Sequence, residues 1–184
     1  MDTLIKRTES WVIGIYKNAD HLIRTAYWVE YLKPDADDAL IIAALTHDIE
    51  RAFTEGRKPP ISELSGQKWD DSVYNKWHGK RSAKFVKEYL QKENIQKEII
   101  DRTCSLIKKH EFGGENDADL LRDADSISFL ELITPLFISW IPKKMNREAV
   151  KAKLDYMYFR ISGKKAKAIA QKFYDKGIAD LERI

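Results

Sequence analysis

Apolar residues recur at intervals of three and four along almost the whole chain, the spacing of helices with one buried face, and no segment alternates as a strand would. The pattern predicts a first helix over about residues 3–17. A second runs from Asp20, a candidate N-cap, to Tyr31 or Leu32, ahead of Pro34. Pro34-Asp35 is expected to open a third helix with Asp37 and Asp38 in its first turn, where carboxylates suit the helix dipole. Its stretch Ala39-Leu40-Ile41-Ile42-Ala43-Ala44-Leu45 is apolar on every face, so it is expected to be buried all round. That helix delivers Thr46-His47-Asp48 at its end.

From about residue 54 to 70 the pattern fails, and Gly56, Pro59, Pro60 and Gly66 predict a loop long enough to serve as a lid. Helix is expected again from Asp70 or His78 to about Gln91, and from Gln96 to His110, with Gly113-Gly114 as the stop. A long helix from about Ala118 to Trp140, kinked at Pro135, and two amphipathic helices over about 146–161 and 164–182 complete the reading. The expected fold is an all-α helical bundle of one domain spanning residues 1–184. The carboxyl-terminal helices, about 145–183, should pack on the rest through Tyr156, Tyr158 and Phe159, or offer those rings to a homodimer partner.

Composition adds limits. A net charge of +3 is too slight to argue for nucleic acid, yet it suits a small anionic substrate. Cys104 is the single cysteine, which excludes an internal disulfide and fits a reducing compartment. No run of 18 apolar residues and no signal-peptide pattern is present, so a cytoplasmic location without a membrane anchor is expected.

The candidate chemistry lies in the histidines. There are four, His21, His47, His78 and His110, and His47 is followed directly by Asp48. Imidazole nitrogens with carboxylate oxygens suit one or two divalent ions such as Mn, Fe, Co, Ni or Zn, with Mg also compatible. His110 shares a helix face with Thr103, Leu106 and Ile107, so it should point inward at its helix end. Downstream, Asp123 and Asp125 sit on nearly opposite faces of one helix. Each has apolar companions (Leu120 and Ile127 for Asp123, Leu121 and Phe129 for Asp125), so periodicity does not separate them.

The stretches DHLIRT, AALTHDIE, WHGKRSAKFVKEYL, IKKHEFGG and LRDADSISFLE, within about residues 18–135, resemble the HD-domain superfamily of metal-dependent phosphohydrolases. The two histidines between the His-Asp doublet and the last aspartate resemble its binuclear branch. The resemblance implies an HD-type bundle with the metal site at its centre. A mononuclear site would use His21, His47, Asp48 and Asp125; a binuclear one adds His78 and His110, with Asp48 bridging. The family pattern of Ala-Asp before a small-x-apolar run selects Asp125, with Asp123 as the alternative ligand or as a support for a ligand histidine. The implied reaction is attack of metal-activated water on the phosphorus of a small phosphoester, with a nucleotide as the expected class.

Arg24, Arg51, Lys80 and Arg81 lie close in sequence to ligands and are candidate phosphate clamps; Arg24 shares the helix face of His21 and is the strongest of them, while Arg51, Lys80 and Arg81 read first as solvated surface. Glu50, beside the doublet, is a candidate proton donor or acceptor, and Asp48, Glu50 and Arg24 form the expected catalytic set. His78 and His110 can alternatively hydrogen-bond a substrate phosphate. Trp69 and Trp77 can stack on a nucleobase or serve the core, and Lys164-Lys165-Ala166-Lys167 is a solvated face or a basic rim. Cys104 and His110, six positions apart, fall on different faces and form no nucleophile pair. The resemblance leaves two further readings: a di-iron oxygenase of the HD type, and a nucleotide-binding sensor module without turnover.

Overall fold

The computed structural model describes residues 3–60 and 71–184. Helix α1 (Leu4–Ile15) starts at Thr3, whose hydroxyl oxygen accepts from the Lys6 amide at 3.3 Å. Then come α2 (Ala19–Leu32), α3 (Asp38–Thr46) and a 3-10 turn (Ile49–Ala52). α3 opens later than Pro34-Asp35 suggests. Asp37 stands outside the helix as its cap, accepting from the Leu40 amide at 2.9 Å, rather than inside its first turn. Helix α4 (Ser72–Lys92) is capped by Asp71, which accepts from Val73 and Tyr74, and α5 (Lys97–Lys109) follows.

The long helix expected over 118–140 is divided. Helix α6 (Asn116–Ser128) passes into a π-helical stretch (Phe129–Ile133) and then α7 (Thr134–Ser139). Pro135 carries no amide hydrogen for the Glu131 carbonyl, and its ring crowds that carbonyl. The ladder therefore changes register ahead of the proline, with the Thr134 amide bonding back to the Phe129 carbonyl. This is the physical reason that a simple kink at Pro135 is not seen. Helices α8 (Arg147–Phe159) and α9 (Lys164–Glu182) close the chain.

The apolar helix α3 is the axis. Every residue from Ala39 to Thr46 is buried, and α1, α2, α5 and α6 pack around it. Burial of each large side chain there, such as Leu40, Ile42 or Leu45, contributes about 1.5–3 kcal/mol. Helices α4 and α5 approach closely at Gly79, where an added Cβ would meet the Ile107 carbonyl oxygen at 3.2 Å and the Lys108 Cα at 3.3 Å. α8 and α9 pack on one another, and α9 also lies on α6 and the π-helical stretch. One cluster of buried apolar side chains runs from Val12 to Leu181. Of the three aromatic residues expected at the α8 surface, Tyr158 is buried and stacks on Tyr174 at 4.4 Å, Tyr156 is half-buried, and Phe159 is 67% exposed. Among the described residues, no helix is long and apolar enough to cross a membrane.

Candidate metal centre

Six elements converge on one interior point. His21 comes from the first turn of α2, His47 ends α3, Asp48 begins the 3-10 turn, His78 comes from α4, His110 ends α5 and Asp125 comes from α6. They form two triads, His21–His47–Asp125 and Asp48–His78–His110, and within each triad the potential ligand atoms all lie within 4.8 Å of one another. The triads adjoin: the His47 and His110 rings are 5.0 Å apart, flanked by His21 at 5.6 Å from His47 and His78 at 5.4 Å from His110.

The hydrogen bonds behind the rings decide which nitrogen faces the centre. His47 Nδ1 donates to the Ala44 carbonyl at 2.9 Å and His110 Nδ1 to the Ile107 carbonyl at 2.6 Å. Both carbonyls lie in the last turn of their helices, and the Ile107 carbonyl also accepts the His110 amide at 3.5 Å. His21 Nδ1 lies 2.8 Å from Ser128 Oγ, and that hydroxyl donates its own hydrogen to the His21 carbonyl at 2.8 Å. Its proton is committed there, so Nδ1 must be the donor. His78 Nδ1 donates to Glu50 Oε1 at 3.0 Å. All four imidazoles thus turn Nε2 inward.

Inward-facing lone pairs meet carboxylate oxygens. Asp125 Oδ1 is 3.1 Å from His21 Nε2 and 3.3 Å from His47 Nε2, and Asp48 Oδ1 is 2.6 Å from His78 Nε2 and 4.0 Å from His110 Nε2. Two acceptors at such distances need a cation between them, either a proton or a metal. His47 Nε2 and His110 Nε2 are buried without a hydrogen-bond partner among the described residues. Leaving a buried acceptor unmet costs about 1–3 kcal/mol, and a bound divalent ion removes that cost. The donor set therefore fits a metal, and nitrogen with carboxylate oxygen suits the borderline first-row ions.

The charges respond to this crowding. Burial pushes His110 down to about 4, opposed by Glu111 and reinforced by the other imidazoles, so its Nε2 lone pair is available across the physiological range. Burial also pushes His78 down, but Asp48 and Glu50 outweigh it and lift the ring to about 9. Against burial, Arg51 and His78 hold the Asp48 carboxyl well below the usual carboxylate range, and Arg160, His21 and His47 do so for Asp125.

Asp125, not Asp123, is the aspartate of the centre. The Asp123 carboxylate instead accepts from the backbone amides of Ser162 (3.0 Å) and Gly163 (2.7 Å), holding the turn between α8 and α9. It touches no ligand histidine. Both faces of α6 are buried, one toward α2 and the other toward α9, and for that reason periodicity could not choose between them.

The helper residues divide. Arg51 donates to Asp48 Oδ2 at 2.9 Å and so reaches the centre. Glu50 is wholly buried. Arg57 grips it with a two-pronged bond (2.9 and 2.7 Å), Arg81 approaches at 3.4 Å, and Glu50 accepts from His78 Nδ1. Arg81 also donates to the Phe53 carbonyl. Arg24 is taken up by Glu131 of the π-helical stretch in a fork of 2.7 and 2.6 Å, beside Trp28, and Lys80 is exposed. The structure thus places Glu50 and Arg81 behind His78 and joins Arg24 to Glu131. Trp77 carries Arg57 on its face at 5.2 Å, while Trp69 and residues 61–70 of the expected loop lie outside the described residues. In the Lys164–Lys167 run, Lys165 donates to the Tyr31 carbonyl and Lys167 to the Tyr158 carbonyl, with Ala166 buried between them. Buried Cys104 lies against the Ala83 carbonyl at 3.4 Å.

A family model described as "Domain of unknown function (DUF4202)" matches residues 6–179. The chain belongs to that family. The DUF4202 match covers the six candidate ligands, α8 and α9 as far as residue 179, and its description assigns neither an HD domain nor an activity. The chain matches no curated protein and no solved structure.

Sequence reasoning missed Arg160 and Glu111. Arg160, at the end of α8, bonds Asp125 and Glu111 through its two terminal nitrogens and Ser126 Oγ through Nε at 2.7 Å. Glu111 stands 3.7 Å from His110 Nε2. The doublet His110-Glu111 parallels His47-Asp48 and was a readable signal for the glutamate. Arg160 has no local sequence signal; it lies 35 residues from Asp125.

Proposed function

We propose that this DUF4202 chain is an HD-type, metal-dependent phosphohydrolase acting on a small anionic phosphoester, with a nucleotide as the leading class. The observation that carries the proposal is the pair of adjoining buried triads whose four Nε2 atoms face two carboxylates. His21, His47 and Asp125 would hold one divalent ion, and Asp48, His78 and His110 the second. Ions bound there supply Lewis-acid stabilisation and lower the pKa of a coordinated water toward neutrality.

The chain's own residues do the rest. Ser128, Glu50 and the Ala44 and Ile107 carbonyls fix each imidazole in the tautomer that presents Nε2. Arg51 orients Asp48, and Arg160 orients Asp125. Around the six ligands, five cations (Arg51, Arg57, Arg81, Lys153, Arg160) face four carboxylates (Asp48, Glu50, Glu111, Asp125). With two divalent ions added, the centre is strongly electropositive, which favours a substrate carrying its own negative charge. That balance supports a phosphoester over a neutral oxygenase substrate.

The test is full-length, tag-free protein loaded with Mn or Fe and offered a panel of nucleotides and simple phosphoesters. Phosphate release that Asp48→Ala abolishes is the expected result. A fully metallated protein that releases no phosphate from any member overturns the hydrolase reading. Oxygen consumption by a di-iron form would replace it with the oxygenase, and tight nucleotide binding without product would replace it with the sensor.

A further inference from the structure

Three carboxylates at the centre present themselves in one manner. Asp125 gives Oδ2 to Arg160 Nη2 and keeps Oδ1 at 3.1 Å from His21 Nε2 and 3.3 Å from His47 Nε2. Asp48 gives Oδ2 to Arg51 at 2.9 Å and keeps Oδ1 at 2.6 Å from His78 Nε2. Glu111, which belongs to neither triad, does the same: Oε2 accepts from Arg160 Nη1 at 2.5 Å, and Oε1 lies 3.7 Å from His110 Nε2. In each case an arginine holds one oxygen and so fixes the direction of the other, and that other oxygen faces the inward nitrogen of an imidazole.

The side of His110 that Glu111 meets sets it apart from Glu50. Glu50 accepts from His78 Nδ1, the nitrogen turned away from the centre, and so supports a ligand from behind. His110 Nδ1 is already bonded to the Ile107 carbonyl, and Glu111 stands at Nε2, the ligand nitrogen itself. That ring is 1% exposed, and its Nε2 has no hydrogen-bond partner among the described residues. The nitrogen is closer to Glu111 Oε1 than to Asp48 Oδ1 of its own triad, which lies at 4.0 Å. First-row ions bind imidazole nitrogen and carboxylate oxygen at about 2.0–2.2 Å, so two donors on one ion stand roughly 3–4 Å apart. The His110–Glu111 pair has that spacing. The chain builds it as it builds His47-Asp48, by placing a carboxylate directly after the histidine that ends a helix.

We propose that Glu111 Oε1 is a further ligand of the ion held by Asp48, His78 and His110, with Arg160 as the yoke that aims Glu111 at this ion and Asp125 at the other. This rests on the metal-centre reading above, and it concerns metal binding rather than turnover.

The experiment is chelator competition on Mn-loaded, full-length, tag-free protein. It compares wild type with Glu111→Gln, and His110→Ala with the double variant His110→Ala/Glu111→Gln, with urea denaturation of each metal-free form as the check on folding. Glu111→Gln keeps the length of the arm and an oxygen for Arg160 and removes the charge. The expected result is a loss of about tenfold or more in affinity for one ion, with the other ion unchanged. In the His110→Ala background, which should retain only the ion of His21, His47 and Asp125, adding Glu111→Gln should change nothing. Equal affinities in wild type and Glu111→Gln overturn the proposal. Weakening of the retained ion in the double variant also overturns it, because Glu111 would then act only as the counter-charge that steadies Arg160 on Asp125. Glu111→Asp keeps the charge and shortens the arm by one methylene, and it replaces Glu111→Gln if that chain does not fold. It too should lose affinity for the one ion, and full affinity there overturns the proposal. A folded wild type that binds no Mn overturns the metal centre itself. Two bound ions with the expected loss in Glu111→Gln, in a protein that hydrolyses nothing, leave this ligand standing while the hydrolase reading falls.

Discussion

The two triads use the same ligand types and differ in what stands behind them. In His21–His47–Asp125 all three residues are nearly inaccessible, and their supports are a serine, a backbone carbonyl and the buried Arg160. In Asp48–His78–His110 the histidines are as deep, but the Asp48 side chain is 16% exposed and its partner Arg51 is 32% exposed. Both triads lean on charge, but the histidines differ: Glu50 stands behind His78 of the second, whereas His21 and His47 of the first are held by a hydroxyl and a carbonyl. The first is closed off from solvent, and the second opens toward it through Asp48 and Arg51. Solvent and substrate should therefore exchange on the second.

The sharpest way to break that comparison is to remove the carboxylate of the closed triad. Asp125→Ala leaves buried Arg160 with Glu111 as its one carboxylate partner among the described residues and should destabilise the fold by about 3–5 kcal/mol. It should also empty the first triad, as read by urea denaturation and metal analysis. The neighbouring Asp123→Asn should leave metal content intact and cost about 1 kcal/mol through the Ser162–Gly163 turn. Equal effects of the two substitutions would contradict the placement of α6.

His78→Ala or His110→Ala should remove the ion of the open triad and keep that of the closed one, giving about one ion per chain. If both variants keep full metal content and full activity, the six-ligand centre is wrong. A smaller effect is expected from Glu50→Gln. It keeps an acceptor for His78 Nδ1 but loses the charge, so affinity at the open triad should fall about 10–100-fold with the closed triad unaffected. Competition with a chelator would resolve the two sites.

In the metal-free protein the His78 pKa is raised to about 9, so at pH 7.5 its ring holds a proton between Glu50 and Asp48. Its contribution to apoprotein stability is fully present below its unfolded-state value of about 6.5 and is lost as pH rises through about 9. A metal must displace that proton, so affinity at the open triad should rise with pH across the same window. Calorimetry at pH 7.5 in buffers of different ionisation heat should show roughly one proton released per chain from His78. No proton release would mean either that His78 is not a ligand or that its ring is already neutral in the metal-free protein.

Much of this arrangement was readable in the sequence, for identifiable reasons. The apolar faces gave the helices, and the unbroken apolar run of α3 gave its central position, because burial imprints on periodicity directly. The ligands stood out because four histidines make a small set and one adjoins an aspartate. What stayed hidden depends on tertiary contact. Asp123 and Asp125 have equal apolar company because α6 is buried on two sides. The π-helical stretch follows from Pro135, but its placement ahead of the proline depends on how Ser128 and Glu131 meet α2. Glu50 reads from the sequence as a candidate proton donor or acceptor or as a residue paired with a neighbour, and its place between His78 and the Arg57 of the following loop depends on tertiary contact. Arg160 joins the centre only through the packing of α8 against α6.

The central claim is that the two triads form one binuclear metal centre, and the most direct test is metal content per chain by plasma mass spectrometry on tag-free, full-length protein. The account predicts close to two first-row divalent ions per chain, falling to about one in His78→Ala. A protein that holds no metal even after incubation with Mn or Fe would contradict it.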